Sequence, residues 1–332
     1  MRRRSRDREG LTLSPFRFVI IGCGRMGLAH SRRLAEDERS SIVAFFDPDQ
    51  AAAQQLRASF APDARVYATL KELLASTDAD AAVIATPTTS HCEQIHEAAE
   101  RGWHVLSEKP LADTREKIVD LITLAEARDN HFMLGYQRRF WSVYRRLRDE
   151  IRSGRHGRIT AVTSVNAERW QQTIKDTWRD DPSINDAGFL GDAGSHKIDV
   201  LFYVTGLQPV EVFAISDTCG SRVPILSSVT ARLAGDVPLT MTFNGRANSF
   251  HEELIIHCEA SDLVVRDQRL WIGRDNQLKQ IELPENETGP ESSCNPVTGF
   301  LDLLSGAADN PAPFDCALPV FDQTQLILRP RD

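Results

Sequence analysis

No stretch of 18 apolar residues occurs in this 332-residue chain, so no helix is expected to span a membrane. Positive charge is not in excess either. Asp and Glu (47) outnumber Lys and Arg (39), for a net charge of −8, which argues against a nucleic-acid-binding surface. The six cysteines (Cys23, Cys92, Cys219, Cys258, Cys294 and Cys316) contain no C-x-x-C pair and resemble no zinc framework, so no metal site is expected. Ordinary thiol usage points to a reducing, cytoplasmic compartment. Internal repeats are lacking. Residues Met1 to Gly10 carry Arg2, Arg3, Arg4, Arg6 and Arg8 with no apolar run behind them. A basic disordered arm over 1–14 is therefore expected rather than a secretory signal.

What is present centres on residues 16–47. Phe16 to Ile21 is a short run of aromatic and β-branched residues, as a buried strand requires. It enters Gly22-Cys23-Gly24-Arg25-Met26-Gly27, a G-x-G-x-x-G turn, and then a helix over Leu28 to Glu38. A second strand, Ile42 to Phe46, ends in Asp47. In such a unit the first glycine permits the tight turn and the second admits a pyrophosphate, with the third letting helix and strand pack closely. The free N–H groups and positive end of the helix face the phosphates. Asp47 lies 25 residues after Gly22, near the spacing of about 20 expected of a carboxylate that accepts from a ribose hydroxyl.

Strands and helices alternate up to about residue 137, which implies a mainly parallel sheet and a Rossmann NAD-binding domain over 15–137. Thr69 and Ser90 both open stretches with capping-box spacing. Ala81 to Thr86 reads as a central strand whose carboxyl end, Thr86-Pro87-Thr88 through His91, belongs beside the cofactor. From Arg158 the character changes to short strands without intervening helices, near 159–165, 210–216, 228–233, 239–244, 253–258, 263–266 and 270–272. That pattern predicts an open, mainly antiparallel sheet in an α+β domain over 138–328. The fold class is thus α/β plus α+β.

One helix, about Leu190 to Val204, interrupts the second half. It carries Asp192, His196 and Asp199 at i, i+4 and i+7, which predicts a shared face. Histidine moves protons near neutrality, and an aspartate one turn away would orient it. The same spacing is met in solvated helix pairs and in two-ligand metal sites, so these residues alone leave three readings open. Lys109 follows a strand at its ligand-facing end, where an ammonium would polarise a substrate oxygen. A surface lysine is the competing reading.

From Phe16 to about Ile327 the chain resembles the Gfo/Idh/MocA family of nicotinamide-dependent oxidoreductases. The resemblance rests on G-C-G-R-M-G at 22–27, F-F-D-P-D at 45–49, A-T-P-T-T-S-H at 85–91 and S-E-K-P at 107–110. It extends through G-Y-Q-R-R-F at 135–140, W-R at 178–179 and F-L-G-D-A-G-S-H-K-I-D at 189–199. It implies oxidation of a secondary hydroxyl on a sugar, cyclitol (inositol-like) or related polyol. Lys109 matches the family's active-site lysine, before a typically cis proline, and Asp192 and His196 match its acid and catalytic histidine. His196 would take the hydroxyl proton, Lys109 polarise the oxygen and Asp192 orient or charge-balance the site. Gly22, Gly24, Arg25, Met26, Gly27, Asp47, Thr86, Pro87, Thr88, His91, Glu108, Lys109, Gln137, Trp178 and Arg179 are the implied cofactor-binding residues.

Asp47 favours NAD over NADP, because a carboxylate repels a 2′-phosphate and the next residues, Pro48 and Asp49, supply no cation. Two departures stand out. Asp186-Ala187-Gly188 carries one glycine where the family has a glycine run, and the last helices look abbreviated, at Phe300 to Leu304 and Thr324 to Leu328. A keto-sugar reductase, NAD-assisted glycoside cleavage and a non-catalytic NAD-binding regulator remain alternatives. The resemblance also assigns substrate binding and oligomerisation to the domain over 138–328. It implies a homodimer or homotetramer through the open sheet, with Val229, Ala231, Leu239, Met241 and Phe243 as candidate face residues.

Overall fold

The computed structural model describes residues 14–329. The expected arm over 1–14 lies outside them except for its last residue. The first half holds strands β1 (Phe16–Ile21), β2 (Ser40–Phe46), β3 (Arg65–Tyr67), β4 (Ala81–Ile84), β5 (His104–Ser107) and β6 (Phe132–Leu134). All pair parallel, in the order β3-β2-β1-β4-β5-β6. Helices α1 (Arg25–Ala35), α2 (Gln50–Phe60), α3 (Leu70–Ser76), α4 (His91–Glu100) and α5 (Arg115–Glu126) alternate with them. This is the doubly wound order, and the chain reverses direction across the sheet between β1 and β4. Each central strand is apolar on both faces because both faces are covered. Val19 and Ile21 of β1 join the cluster of Leu73 and Ile95, while Phe18 and Ile20 face the other side.

That other side is closed from far along the chain. Helix α9 (Pro296–Ser305) places Val297, Phe300 and Leu301 against Phe18 and Ile20, with the Phe18 and Phe300 rings edge to face at 6.3 Å. Asn295 caps α9 by accepting from the Val297 and Thr298 amides, and the Thr298 hydroxyl accepts from the Asn295 amide in return. The expectation of abbreviated final helices is corrected here. This capping box starts α9 four residues before Phe300, and α10 (Ala317–Leu328) runs 12 residues and packs against α5. Thr69 caps α3 as expected, but Ser90 makes no side-chain cap, because a 3₁₀ turn over Thr88–Ser90 precedes α4.

Helix α6 (Ser142–Arg152) leads into the second sheet. Its strands are β7 (Ile159–Ala167), β8 (Pro209–Asp217), β9 (Leu226–Leu233), β10 (Val237–Asn244), β11 (His251–Cys258), β12 (Asp262–Arg266), β13 (Arg269–Arg274) and β14 (Gln277–Ile281). The order is β14-β13-β12-β11-β7-β10-β9-β8, antiparallel except for the β7–β10 pair. Strand β14 was not expected: its sequence is polar and exposed, and it is held by a turn in which Asp275 and Asn276 both have positive φ. The short α7 (Trp170–Ile174) was also missed.

The expected interface residues need correction. Val229, Ala231, Leu239, Met241 and Phe243 do share one face, but all are at most 5% exposed. They form one core with Ile198, Leu201 and Phe202 of α8 (Ser195–Thr205) and with Ala317 and Val320 of α10. The chain's own helices take the apolar face of the sheet.

Candidate active site

Three glycines shape the turn after β1. Gly22 has φ +97, and a side chain there would strike the backbone of Ala85 and Thr86 at 2.6–2.7 Å. A Cβ on Gly27 would lie 2.0 Å from the Gly22 carbonyl oxygen, so α1 packs directly on the turn. A Cβ on Gly24 would meet nothing within 4 Å. Gly24 and Arg25 are exposed, Met26 is half-buried, and no side chain caps the first amides of α1. The turn therefore leaves open room at its second glycine and free donors at a helix start, the features a pyrophosphate needs. The Asp47 carboxylate accepts from the Cys23 amide at 2.7 Å and the Asp49 amide at 2.8 Å, which fixes it at the end of β2 beside the turn. These residues fit a dinucleotide.

The neighbouring strand ends divide into open and inward-facing residues. Pro87 is exposed and Thr88 half-buried, while the Thr86 hydroxyl donates to Gln94 at 2.6 Å. His91 is 1% exposed, with ring nitrogens 2.9 Å from the Thr86 and Pro110 carbonyl oxygens, so it braces the strand ends from behind. Glu108 also turns inward, onto His30 at 2.7 Å. Burial raises the Glu108 carboxyl, but the His30 hydrogen bond and the charges of His30 and Lys109 hold it below its usual range. Gln137 is half-buried at the start of a 3₁₀ turn over Gln137–Phe140.

Lys109 reaches across to the second half of the chain. Its peptide bond to Pro110 is cis. Its Nζ donates to the Asp192 carboxylate and to the Asp192 carbonyl oxygen, both at 2.9 Å. The other Asp192 oxygen accepts from Arg179 Nε at 2.9 Å, and Asn185 holds the Arg179 carbonyl at 2.8 Å. Burial raises the Asp192 carboxyl, but Lys109 and Arg179 outweigh it and keep the group ionised far into acid. Asp192 sits in a π-turn, Leu190–Gly194, that opens α8. The wider turn shifts the phase of the helix, so Asp199 does not share the face of Asp192. Instead Asp199 is buried in a forked ion pair with Arg139, at 2.7–3.0 Å, which corrects the shared-face expectation.

His196 follows one turn after Asp192. Its ring is edge-on to Tyr136 at 6.1 Å, and Nδ1 is buried without a hydrogen-bond partner among the described residues. Burial, then the charges of Lys109, Arg138 and Lys197, push its pKa well below the usual value, so the imidazole is neutral at neutral pH. Two of those cations belong to a cluster that the sequence did not reveal. Glu252 at the start of β11 accepts from Arg138, Lys197 and Tyr144, the last at 2.7 Å. Burial and Arg138 bring Lys197 down to about 8. No local signal announces this cluster, because its members lie up to 114 residues apart.

A cleft runs along this junction, lined by Thr88, Pro110, Trp178, Asn185, Asp186, Asp192 and Tyr136. Lys109 and His196 are not among the lining residues: Lys109 holds Asp192, which is, and the His196 ring stands edge-on to the lining Tyr136. Trp178 is 48% exposed at the cleft, with the Arg179 guanidinium 4.3 Å from its ring. The opposite wall is α10, through Val320, Phe321, Thr324 and Gln325, which no motif announced. The departure at 186–188 falls in the lining: Asp186 and Ala187 both face the cleft, and Gly188 has φ +54 with Pro224 directly against it.

Comparison with known proteins agrees with this geometry. The family described as "Oxidoreductase family, NAD-binding Rossmann fold" matches residues 16–136, and the "GFO/IDH/MocA C-terminal domain" matches 144–264. The rhizopine catabolism protein MocA of Rhizobium meliloti is 30% identical over 202 residues, 59% of this chain and 59% of that protein. An inositol 2-dehydrogenase of the same species (strain 1021) is 27% identical over 198 residues, 60% of this chain and 57% of that protein. These matches span less than two-thirds of either relative. Among solved structures, the WlbA dehydrogenase of Bordetella pertussis, in complex with NADH and UDP-GlcNAcA, superposes with a TM-score of 0.79. It shares 23% identity, and the match covers 94% of this chain and 95% of that one, a likeness of fold. With both halves of the chain matched to it and the dinucleotide turn and cleft in place, the protein belongs to the GFO/IDH/MocA family of NAD-binding oxidoreductases.

Proposed function

We propose that this protein is a NAD-dependent dehydrogenase that oxidises a secondary hydroxyl of a sugar, a cyclitol such as an inositol, or a related polyol. The observation that carries this reading is the Lys109–Asp192 ion pair beside a neutral His196, at the end of β5, two strands along the sheet from the glycine turn. Gly22, Gly24, Arg25, Met26 and Gly27 would hold the pyrophosphate, and Asp47 the adenosine ribose. Thr86, Pro87, Thr88, Gln137, Trp178 and Arg179 would flank the rest of the dinucleotide, with His91 and Glu108 positioning the strand ends that carry it. Bound NAD supplies the acceptor for hydride from the carbinol carbon.

This chain's residues handle the proton and the charge. Lys109 Nζ, held by Asp192, donates to the substrate oxygen and stabilises the negative charge that develops there. His196, neutral at working pH, accepts the hydroxyl proton. Asp192 is the positioning group: its ionised carboxylate is shared between Lys109 and Arg179, which locks the ammonium in place. Asp47 favours NAD over NADP. The names of the relatives, inositol 2-dehydrogenase and a rhizopine catabolism protein, support a polyhydroxylated ring as substrate.

A homodimer or homotetramer and a cytoplasmic setting belong to the same reading. The outer face of the second sheet carries the cross-strand row Thr230, Thr240, Thr163, Ile255, Val264 and Trp271. Uncharged side chains in such a row suit burial against a second copy, and all six cysteines are free thiols. The test is a panel of polyols, cyclitols and sugars with NAD and NADP, read at the nicotinamide absorbance. Turnover of a ring polyol with NAD is expected. Tight NAD binding with no turnover of any alcohol would refute the reading, and product without NADH release would replace it with NAD-assisted bond cleavage.

A further inference from the structure

Helix α4 carries Cys92 and His96 at i and i+4, so both side chains stand on one face. The neighbouring helix α5 brings Asp120 to that face. Cys92 Sγ, His96 Nε2 and an Asp120 oxygen all lie within 4.8 Å of one another. His96 Nε2 is 2.6 Å from Asp120 Oδ2, and Cys92 Sγ is 3.8 Å from the same oxygen. We propose that Cys92, His96 and Asp120 form a binding site for one borderline divalent metal ion, Zn2+ or Co2+, that clamps α4 to α5.

The donor set decides the class of ion. One thiolate, one imidazole and one carboxylate suit Zn2+ and Co2+ rather than Mg2+ or Ca2+, which take oxygen donors. The geometry is close to what binding needs. Bonds of about 2.3 Å to sulfur and about 2.1 Å to nitrogen and oxygen, at a tetrahedral angle, set donors about 3.5 Å apart. The sulfur–oxygen distance already fits. The His96–Asp120 pair must open by about an ångström, which two side chains 37% and 55% exposed can do by small rotations. The ion would replace the proton now shared between them, and water would complete the shell on the solvent side. None of the three residues lines the cleft, so the site is separate from the chemistry proposed above.

The clamp has a structural logic. Residue 91, directly before Cys92, is the histidine that holds the Thr86 and Pro110 carbonyls, and α5 begins just beyond the loop of Lys109 and Pro110. An ion joining α4 to α5 would tie together the two helices that flank that loop. Metal capture releases the Cys92 proton. Affinity therefore rises with pH until the thiol is fully ionised.

The test is a Co2+ titration of the full chain, followed by the d–d bands and the thiolate-to-metal charge-transfer band. One saturable Co2+ per chain is expected, with bands that Zn2+ bleaches. In Cys92→Ser the charge-transfer band should vanish while the other five cysteines remain. In His96→Ala affinity should fall at least about tenfold. Circular dichroism of both variants confirms that they fold. Absence of a saturable charge-transfer band in the wild type, or its survival in Cys92→Ser, overturns the proposal.

Discussion

The dinucleotide turn and the cleft beside it are built on opposite principles. The turn is made by backbone within one contiguous stretch, where glycines remove atoms so that chain and ligand can approach. The cleft is made by charged side chains from distant elements: Lys109 from the parallel sheet, Arg179 and Asp192 from the second half, and a wall from α10. Binding and chemistry should therefore separate under mutation. Lys109→Ala or His196→Ala should lower turnover about 10²–10⁴-fold and leave NAD affinity near wild type, as measured by fluorescence titration. Gly24→Ala should do the reverse. A methyl there meets nothing within 4 Å among the described residues, so the melting temperature should hold while NAD binding is lost. Loss of NAD binding in the lysine and histidine variants would collapse the distinction.

The two regions also differ in how they carry charge. The turn holds a half-buried Asp47 on backbone amides, whereas the cleft rests on buried ion pairs behind it. Glu252 holds Arg138 and Lys197 together, with those partners 9% and 4% exposed. Glu252→Ala leaves buried Arg138 without a carboxylate and Lys197 with only the longer 3.7 Å contact to Glu168, and should destabilise the protein by about 3–5 kcal/mol in a denaturant titration. Glu252→Leu combined with Arg138→Met and Lys197→Met should recover much of that loss, because the carboxylate that then loses its cation, Glu168, is 26% exposed and keeps water. A Glu252→Ala protein as stable as wild type would show that water reaches the cluster.

Acid should tell the regions apart as well. His104, stacked on His131 at 5.0 Å, is brought down to about 4 by burial and then by the His131 charge. Its folded pKa thus lies below the unfolded value of about 6.5. Between those values the unfolded chain binds a proton that the native chain refuses, so the contribution is full above about pH 6.5 and is lost as pH falls toward about 4. His91 and His196 are shifted in the same direction, by burial first. Melting temperature should fall steadily over this window. His104→Gln should flatten the slope, and an unchanged slope would remove His104 from the account.

Much of this was legible, for uneven reasons. The turn could be read because its parts lie close together in the chain and each glycine has a local cause. Lys109, Asp192 and His196 could be read as motifs, and the chain does bring them together. What escaped depends on long-range packing. His30 and Glu108, or Lys197 and Glu252, meet only after the sheets form, and nothing near either member marks the partner. Alternation sorted Val229, Ala231, Leu239, Met241 and Phe243 onto one face, yet a two-residue period does not say which layer covers it. The π-turn at Leu190–Gly194 likewise has no sequence rule, and it separated Asp199 from Asp192.

The smallest effect lies at Asp47, where the turn's backbone logic meets a single charge. Its two oxygens already accept from the Cys23 and Asp49 amides, so an alanine would disturb the turn as well as the ligand. The cleaner probe is Asp47→Asn, which keeps one accepting oxygen and the side-chain shape and removes the repulsion that a 2′-phosphate would feel. No cation is added, so NADP gains only relief from that repulsion. Near the surface, two charges a few ångströms apart interact by about 1–4 kcal/mol before screening. The NADP-to-NAD ratio of kcat/KM should rise on the order of tenfold, most of it through KM for NADP, and less at high salt. A ratio unmoved by the substitution and insensitive to salt would mean that another group chooses the cofactor, and that the charge at the end of β2 serves only to fix the turn.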